Sequence, residues 1–231
     1  MKILSLDTST KVVSVAVMDE DKLLAEYFIN NDEKNHSQRL MPMIDSMLKE
    51  LKLEPCDIDY YAVSNGPGSF TGLRVGVTTI KGMAYANNKK VVAVDTLDAI
   101  ASNVSYTNAI VCSMLDARNR QVYVAMYDGD KKIVEDTSID IDELIDKIIF
   151  LGTKVVFVGD AVLVYRDYLK EKLNNNCVIP REIDLLPRAS GVAQLAFYKI
   201  QRQEVLASYE LVPNYLKKSQ AEREYDKNHN S

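Results

Sequence analysis

KILSLDTSTKVVSVAVMDEDKLLAEYFI, residues 2–29, holds three runs of aliphatic and β-branched residues, Ile3 to Asp7, Val12 to Met18 and Leu23 to Ile29, parted by short polar turns such as Asp19-Glu20-Asp21-Lys22. Runs of this length with turns this short predict an antiparallel meander. From Ser37 to Leu53 the pattern changes. Leu40, Met43, Ile44, Met47, Leu48 and Leu51 recur at three- and four-residue spacing, which lays an apolar stripe on one helical face. Tyr60 to Ser64 then predicts a strand, Leu73 to Ala86 a helix with Leu73, Val77, Ile80 and Ala84 in phase, Val91 to Val94 a strand, and Asp95 to Ser102 a short helix capped by Asp95 or Thr96.

The same order returns in the second half. Ala109 to Leu115, Gln121 to Asp128 and Lys132 to Thr137 read as a second meander, followed by a helix over Ile141 to Ile149 and a strand over Val155 to Val158. A helix over Val162 to Leu173, a strand over Cys177 to Ile179 and a helix over Ser190 to Gln203 complete it. A repeated order without repeated sequence predicts a duplicated α/β fold with a cleft between two lobes, residues 1–105 and 106–219, and a polar tail over 220–231.

Composition narrows the chemistry. Of 231 residues, 47% are apolar and 26% charged, values of a globular chain, and no run of apolar residues is long enough for a membrane helix. The start of the chain lacks the pattern of an export signal, and the expectation is a cytoplasmic protein. The three cysteines, Cys56, Cys112 and Cys177, are too widely spaced for a zinc knuckle and read as small buried hydrophobes. A net charge of −5 argues against a chain that binds nucleic acid by itself. With only two histidines, His36 and His229, neither a resident transition metal nor a nucleophile–histidine pair is expected. His36, at a helix start, reads as a capping or partner-contacting residue.

Three loops carry the remaining candidates. Gly66-Pro67-Gly68 predicts a type II turn with Thr71 capping the next helix, whose free N–H groups either close a tight connection or hold an anion or a partner's acceptor. It is no P-loop, because Leu73 and Arg74 follow Gly72, and no nucleophile elbow around Ser69, because Pro67 stands where a glycine is required. Asp7, Thr8 and Ser9 end the first strand where two-lobed ATPases approach phosphate and magnesium, yet Thr8 and Ser9 bring Cβ atoms that obstruct the approach; a plain hairpin turn is the other reading. Gly159 and Asp160 read either as the matching loop of the second lobe or as a strand-to-helix turn capped by Asp160. The cluster Lys217, Lys218 and Arg223 reads as a solvated charge group or a phosphate contact.

Three segments in order, Ile3-Leu4-Ser5-Leu6-Asp7-Thr8-Ser9, His36-Ser37-Gln38-Arg39-Leu40-Met41-Pro42-Met43-Ile44 and Gly66-Pro67-Gly68-Ser69-Phe70-Thr71-Gly72-Leu73-Arg74, resemble the TsaB family, bacterial accessory subunits for making threonylcarbamoyladenosine on tRNA. The likeness continues through Val91-Val92-Ala93-Val94-Asp95-Thr96-Leu97, Asp116-Ala117-Arg118 and Pro213-Asn214-Tyr215-Leu216, nearly the whole chain; the Gly66 to Arg74 run is its specific part. The resemblance implies a two-lobed actin-like ATPase (ribonuclease H-like) fold, each lobe a mixed sheet with flanking helices. It implies a cytoplasmic complex with a TsaD-like catalytic subunit and a TsaE-like ATPase, with tRNA reached only through the complex. Partner contact is implied for the two first-lobe helices, here His36, Leu40, Ile44 and Met47 on one and Thr71, Arg74 and Thr78 on the other. Small residues at Gly76, Gly82, Ala84 and Ala86 permit close helix approach there. TsaD carries its metal on a His-x-x-x-His helix, and the equivalent stretch Asp95 to Ala101 has neither histidine, so no cofactor, metal or catalytic residue is expected in this chain. A stand-alone kinase or glycoprotease-like peptidase is the alternative, and self-association through the same helices a further one.

Overall fold

The computed structural model describes residues 1–31 and 36–217. The tail beyond 217, with Lys218, Arg223 and His229, lies outside them. In the first half run β1 (Lys2–Asp7), β2 (Val13–Asp19), β3 (Lys22–Ile29), α1 (His36–Leu51), β4 (Tyr60–Gly66), α2 (Phe70–Ala86), β5 (Lys90–Asp95) and α3 (Thr96–Ala101). In the second run β6 (Ile110–Asp116), β7 (Gln121–Asp128), β8 (Lys131–Asp140), α4 (Ile141–Leu151), β9 (Val155–Val158), α5 (Ala161–Leu173), β10 (Cys177–Val178) and α6 (Ala189–Gln201). Each half forms a five-stranded sheet, in the order β3-β2-β1-β4-β5 and β10-β9-β6-β7-β8. These are the same order, with β6 in the place of β1 and β9 in that of β4. The meander pairs are antiparallel, while β1 pairs with β4, and β6 with β9, in parallel.

β1 is central and covered on both faces, which is why its residues from Ile3 onward are buried without alternation. Leu4 and Leu6 face α1 and α2, packing in one cluster with Leu40, Ile44, Met47, Val77 and Ile80. Ile3 faces the other way, in a cluster with Val192, Ala193 and Ala196 of α6.

That second contact corrects the expected division of the chain. The last helix of each half crosses to the other sheet: Leu97 and Ile100 of α3 sit in the core of the second lobe, and α6 lies on β1 and β2 of the first. Residues 106–219 are therefore not a self-contained lobe. A polar joint fixes the crossing. Glu26 on β3 accepts hydrogen bonds from Arg188 Nε at 3.1 Å, Ser190 N at 3.0 Å and Ser190 Oγ at 2.8 Å, and is salt-bridged to Arg188. Ser14 Oγ accepts from Ala189 N at 3.0 Å and Ser5 Oγ donates to Ala189 O at 2.7 Å. A carboxylate at the start of α6 also complements the helix dipole.

The chain continues past α6 as a strap. Val91 and Leu206 exchange two backbone hydrogen bonds, and residues 208–215 then run along the flank of α2. Of the cysteines expected in the core, Cys112 is buried, Cys177 is half-buried and Cys56 is exposed, on the short helical turn Pro55–Asp57. No helix among the described residues is long and apolar enough to cross a membrane.

Candidate functional site

The loop after β1 is packed shut. Asp7, Thr8, Ser9 and Thr10 are all buried. Asp7 Oδ1 accepts from Ser9 N at 2.9 Å and from Ser9 Oγ at 2.8 Å. Thr8 Oγ1 donates to Gly72 O at 2.8 Å, and Ser9 O accepts from Ser69 N at 2.6 Å. The N-terminal end of α2, where an anion would sit, is thus occupied by the chain's own carbonyl and by Ser69, whose Oγ accepts from Gly72 N at 3.3 Å. Ser69, not Thr71, is the cap. A Cβ on Gly72 would stand 2.0 Å from Thr8 O, and one on Gly68 2.5 Å from Ser9 O, so both glycines serve this close packing. The turn is not type II, because Gly68 takes a φ of +156° where that turn needs about +80°; Gly66 also takes positive φ, and the Gly66–Pro67 bond is cis.

The Asp7 carboxyl is pushed above its ordinary value by burial; the nearby Ser64 hydroxyl, Ser9 and His36 oppose the rise. Ser64 Oγ nonetheless lies outside hydrogen-bond geometry, and Asp7 Oδ2, Ser64 Oγ, Asn65 Oδ1 and Thr96 Oγ1 are all buried without a partner, at the carboxyl ends of β1, β4 and β5. A phosphate reaching Asp7, Thr8 or Ser9 would have to displace the start of α2.

Gly159 and Asp160 do not mirror the Asp7 loop. They follow β9, whose counterpart is β4; the structural match of Asp7 is Asp116, at the end of β6. Gly159 takes a φ of +106°, and a Cβ there would meet Met114 O at 1.9 Å. Asp160 does not cap α5 with its side chain; its Oδ1 accepts from Asp116 N at 2.9 Å. Burial pushes this carboxyl up to about 6, with Asp116 adding repulsion and backbone N–H groups and Lys11 opposing it.

The outward face of α1 and α2 is open. Leu40, Ile44 and Met47, expected at a partner contact, are at most 1% exposed and pack on the chain's own sheet, because the apolar stripe of α1 is the stripe that seats it. His36 turns inward as well, its Nε2 lying 2.9 Å from Thr10 O. The residues that α1 presents outward include Met41, Pro42 and Asp45, beside polar ones such as Gln38, Ser46 and Lys49. On α2, Thr71, Arg74 and Thr78 are exposed, together with Gly82, Ala86 and Tyr85, the last at 81%. The four small residues separate cleanly. Gly76 is required within the chain, since a Cβ would lie 2.4 Å from Thr8 Oγ1, and Ala84 is buried. A Cβ on Gly82 would meet nothing within 4 Å.

The strap closes one side of this face. Lys81 Nζ donates to Tyr209 O at 3.3 Å and Leu211 O at 2.9 Å. Arg74 Nε donates to Tyr215 OH at 3.2 Å, its guanidinium lies 4.0 Å over the Phe70 ring, and Phe70 stacks on Tyr215 at 4.5 Å. Asn214 N donates to Asn65 O at 2.6 Å, and a Cβ on Gly66 would stand 2.1 Å from Asn214 O. Sequence reasoning missed these roles for Phe70, Lys81 and Tyr215. Nothing in a local pattern reports a contact between residues 141 positions apart.

Residues 22–225 match the family model of TsaD, tRNA N6-adenosine threonylcarbamoyltransferase. The tRNA threonylcarbamoyladenosine biosynthesis protein TsaB of Bacillus subtilis is 30% identical, covering 97% of this chain and 98% of that protein. Its namesake in Escherichia coli is 28% identical, covering 96% of each. The structure of YeaZ from Pseudomonas aeruginosa superposes with a TM-score of 0.77 at 27% identity, over 93% of this chain and 99% of that one. A ROK hexokinase from Thermus thermophilus, at 12% identity and a TM-score of 0.51 over 87% of this chain and 100% of its own, shares the two-lobed fold alone.

Proposed function

Because this chain belongs to the TsaB family, within the wider TsaD family, we propose that it is an accessory subunit of tRNA N6-threonylcarbamoyladenosine biosynthesis, docking on a TsaD-like catalytic subunit through the outward face of α1 and α2. The observation that carries this reading is Gly82. A glycine inside an exposed helix costs about 1 kcal/mol relative to alanine, and here no contact within the chain requires it. Close approach of a second helix supplies the reason, since small residues let helix axes draw near. Met41, 49% exposed, and Tyr85 supply the apolar anchors such a contact uses.

In this reading the chain supports the catalytic subunit and performs no chemistry itself. A kinase would need the Asp7 loop open to phosphate, and that loop is filled by Ser69 and Gly72. A TsaE-like ATPase joins the assembly in the cytoplasm, and tRNA meets the partner's surface, in keeping with a chain of net charge −5. Without its partner the chain uses the same face for self-association.

The test is reconstitution of tRNA modification from a TsaD-like subunit, a TsaE-like ATPase, threonylcarbamoyl-adenylate and tRNA, with and without this chain. Stimulation that Gly82→Arg abolishes supports the proposal. Modification that proceeds equally with either protein, or turnover by this chain alone, overturns it.

A further inference from the structure

Between α2 and the strap lies a groove of about 500 Å³ lined by Arg74, Val77, Lys81, Leu211, Val212 and Tyr215. It opens on the side of α2 that carries Thr78 and so adjoins the face assigned to docking. Val77, Leu211 and Val212 give it apolar wall, Thr78 and Tyr215 add hydroxyls, and its only charged lining groups are two cations. Lys81 is committed to two carbonyls of the strap. Arg74 is held by Nε to Tyr215 and by its plane to Phe70, and among the described residues the other guanidinium edge meets no acceptor. No carboxylate of the described residues pairs with either cation, although the chain carries more acidic than basic residues.

We propose that this groove is a receptor for an acidic side chain of the docking partner: a carboxylate seated on the free edge of Arg74, with an adjacent apolar residue between Val77 and Val212. The inference rests on the docking reading and deepens it. Three features prepare the site. The ring of Phe70 and the hydroxyl of Tyr215 fix the guanidinium plane, so little side-chain freedom remains to be lost when a carboxylate binds. The planar fork matches a carboxylate bidentately, which an ammonium cannot do. The apolar walls lower the local polarity once the partner covers them, which strengthens the pair. Lys81 is a positioning residue. It holds the strap against α2 and thereby builds the second wall.

The experiment measures affinity for the purified TsaD-like subunit of the same organism by titration calorimetry, at low ionic strength and at about 0.5 M salt, for the parent chain, Arg74→Gln, Arg74→Lys and Gly82→Arg. Arg74→Gln is expected to weaken binding about 10-fold at low salt. The gap should narrow to about 2-fold at high salt, because an ion pair near a surface is screened. Arg74→Lys should fall between the two, keeping the charge and losing the fork. Should Gly82→Arg break the complex while Arg74→Gln binds like the parent at low salt, the groove holds no carboxylate and the docking reading stands without it. If neither substitution weakens binding, both fall together.

Discussion

Two glycines six positions apart on α2 allow a test in which stability and binding must move in opposite directions. At Gly82 an added Cβ meets nothing within 4 Å, so Gly82→Ala has only the helix propensity to gain. That gain is about 0.5–1 kcal/mol. For a chain of this length it raises the thermal midpoint by roughly 1–4 °C. At Gly76 the same gain is opposed by a Cβ placed 2.4 Å from Thr8 Oγ1, 3.1 Å from Leu6 Cδ1 and 3.3 Å from Val63 Cγ2. Overpacking of this kind costs about 1–3 kcal/mol, and a Thr8 side chain driven aside gives up its bond to Gly72 O, about 1 kcal/mol more. Gly76→Ala should therefore lower the midpoint by several degrees. Circular dichroism melts of both variants beside the parent measure this directly, and titration with the TsaD-like partner completes the test. Gly82→Ala should be the more stable protein and the weaker binder. A Gly82→Ala protein that melts lower than the parent, or that binds the partner at least as tightly, refutes the claim that this glycine is kept for an intermolecular contact.

Asp160→Asn keeps the acceptor for Asp116 N and removes a carboxyl whose pKa in the fold is raised to about 6. A raised folded-state pKa contributes stability that is present below about pH 4 and lost as pH rises through about 6. The substitution should thus be neutral at pH 4 and stabilising at pH 7.5, by roughly 1–2 kcal/mol after allowance for the partial exposure of the side chain, as read from urea unfolding. Asp7→Asn retains the acceptor for both Ser9 bonds and removes a carboxyl that burial disfavours in its charged form; it should stabilise the chain near neutral pH, as read from urea unfolding, and leave stimulation of tRNA modification intact, whereas a magnesium-organising Asp7 would lose activity. Arg188→Ala strips the charge partner from Glu26, whose side chain is only 6% exposed, and should cost roughly 3 kcal/mol, with hydrogen exchange accelerating first across 189–201 of α6; unchanged protection there would show that Ser190 alone secures the crossing.

Much of the fold is legible along the chain because its information is local. The aliphatic and β-branched runs within residues 2–29 and 109–137 become β1 to β3 and β6 to β8, and the three-and-four stripes become α1 and α2, since local composition and helical phase depend only on near neighbours. The site was less legible. The stripe Leu40, Ile44 and Met47 fixes that α1 is amphipathic, but a stripe that seats a helix on its own sheet and one that seats it on a partner have the same sequence pattern. The burial of those three residues settles the choice, and transfers the candidate contact to Met41, Gly82 and Tyr85, which carry no periodic signal.

The amino-acid sequence by itself determined the two meanders, the duplicated order of elements and the strand-turn-helix at Gly66. Tertiary structure alone decided that α3 and α6 change lobes, that Glu26 binds Arg188 across 162 positions, and that the strap brings Tyr215 to Phe70 and Arg74. The physical reason is one of range. Dihedral preference and side-chain period act over a few residues, whereas the packing of a helix on one sheet or another is decided by surfaces that meet only when the chain has folded.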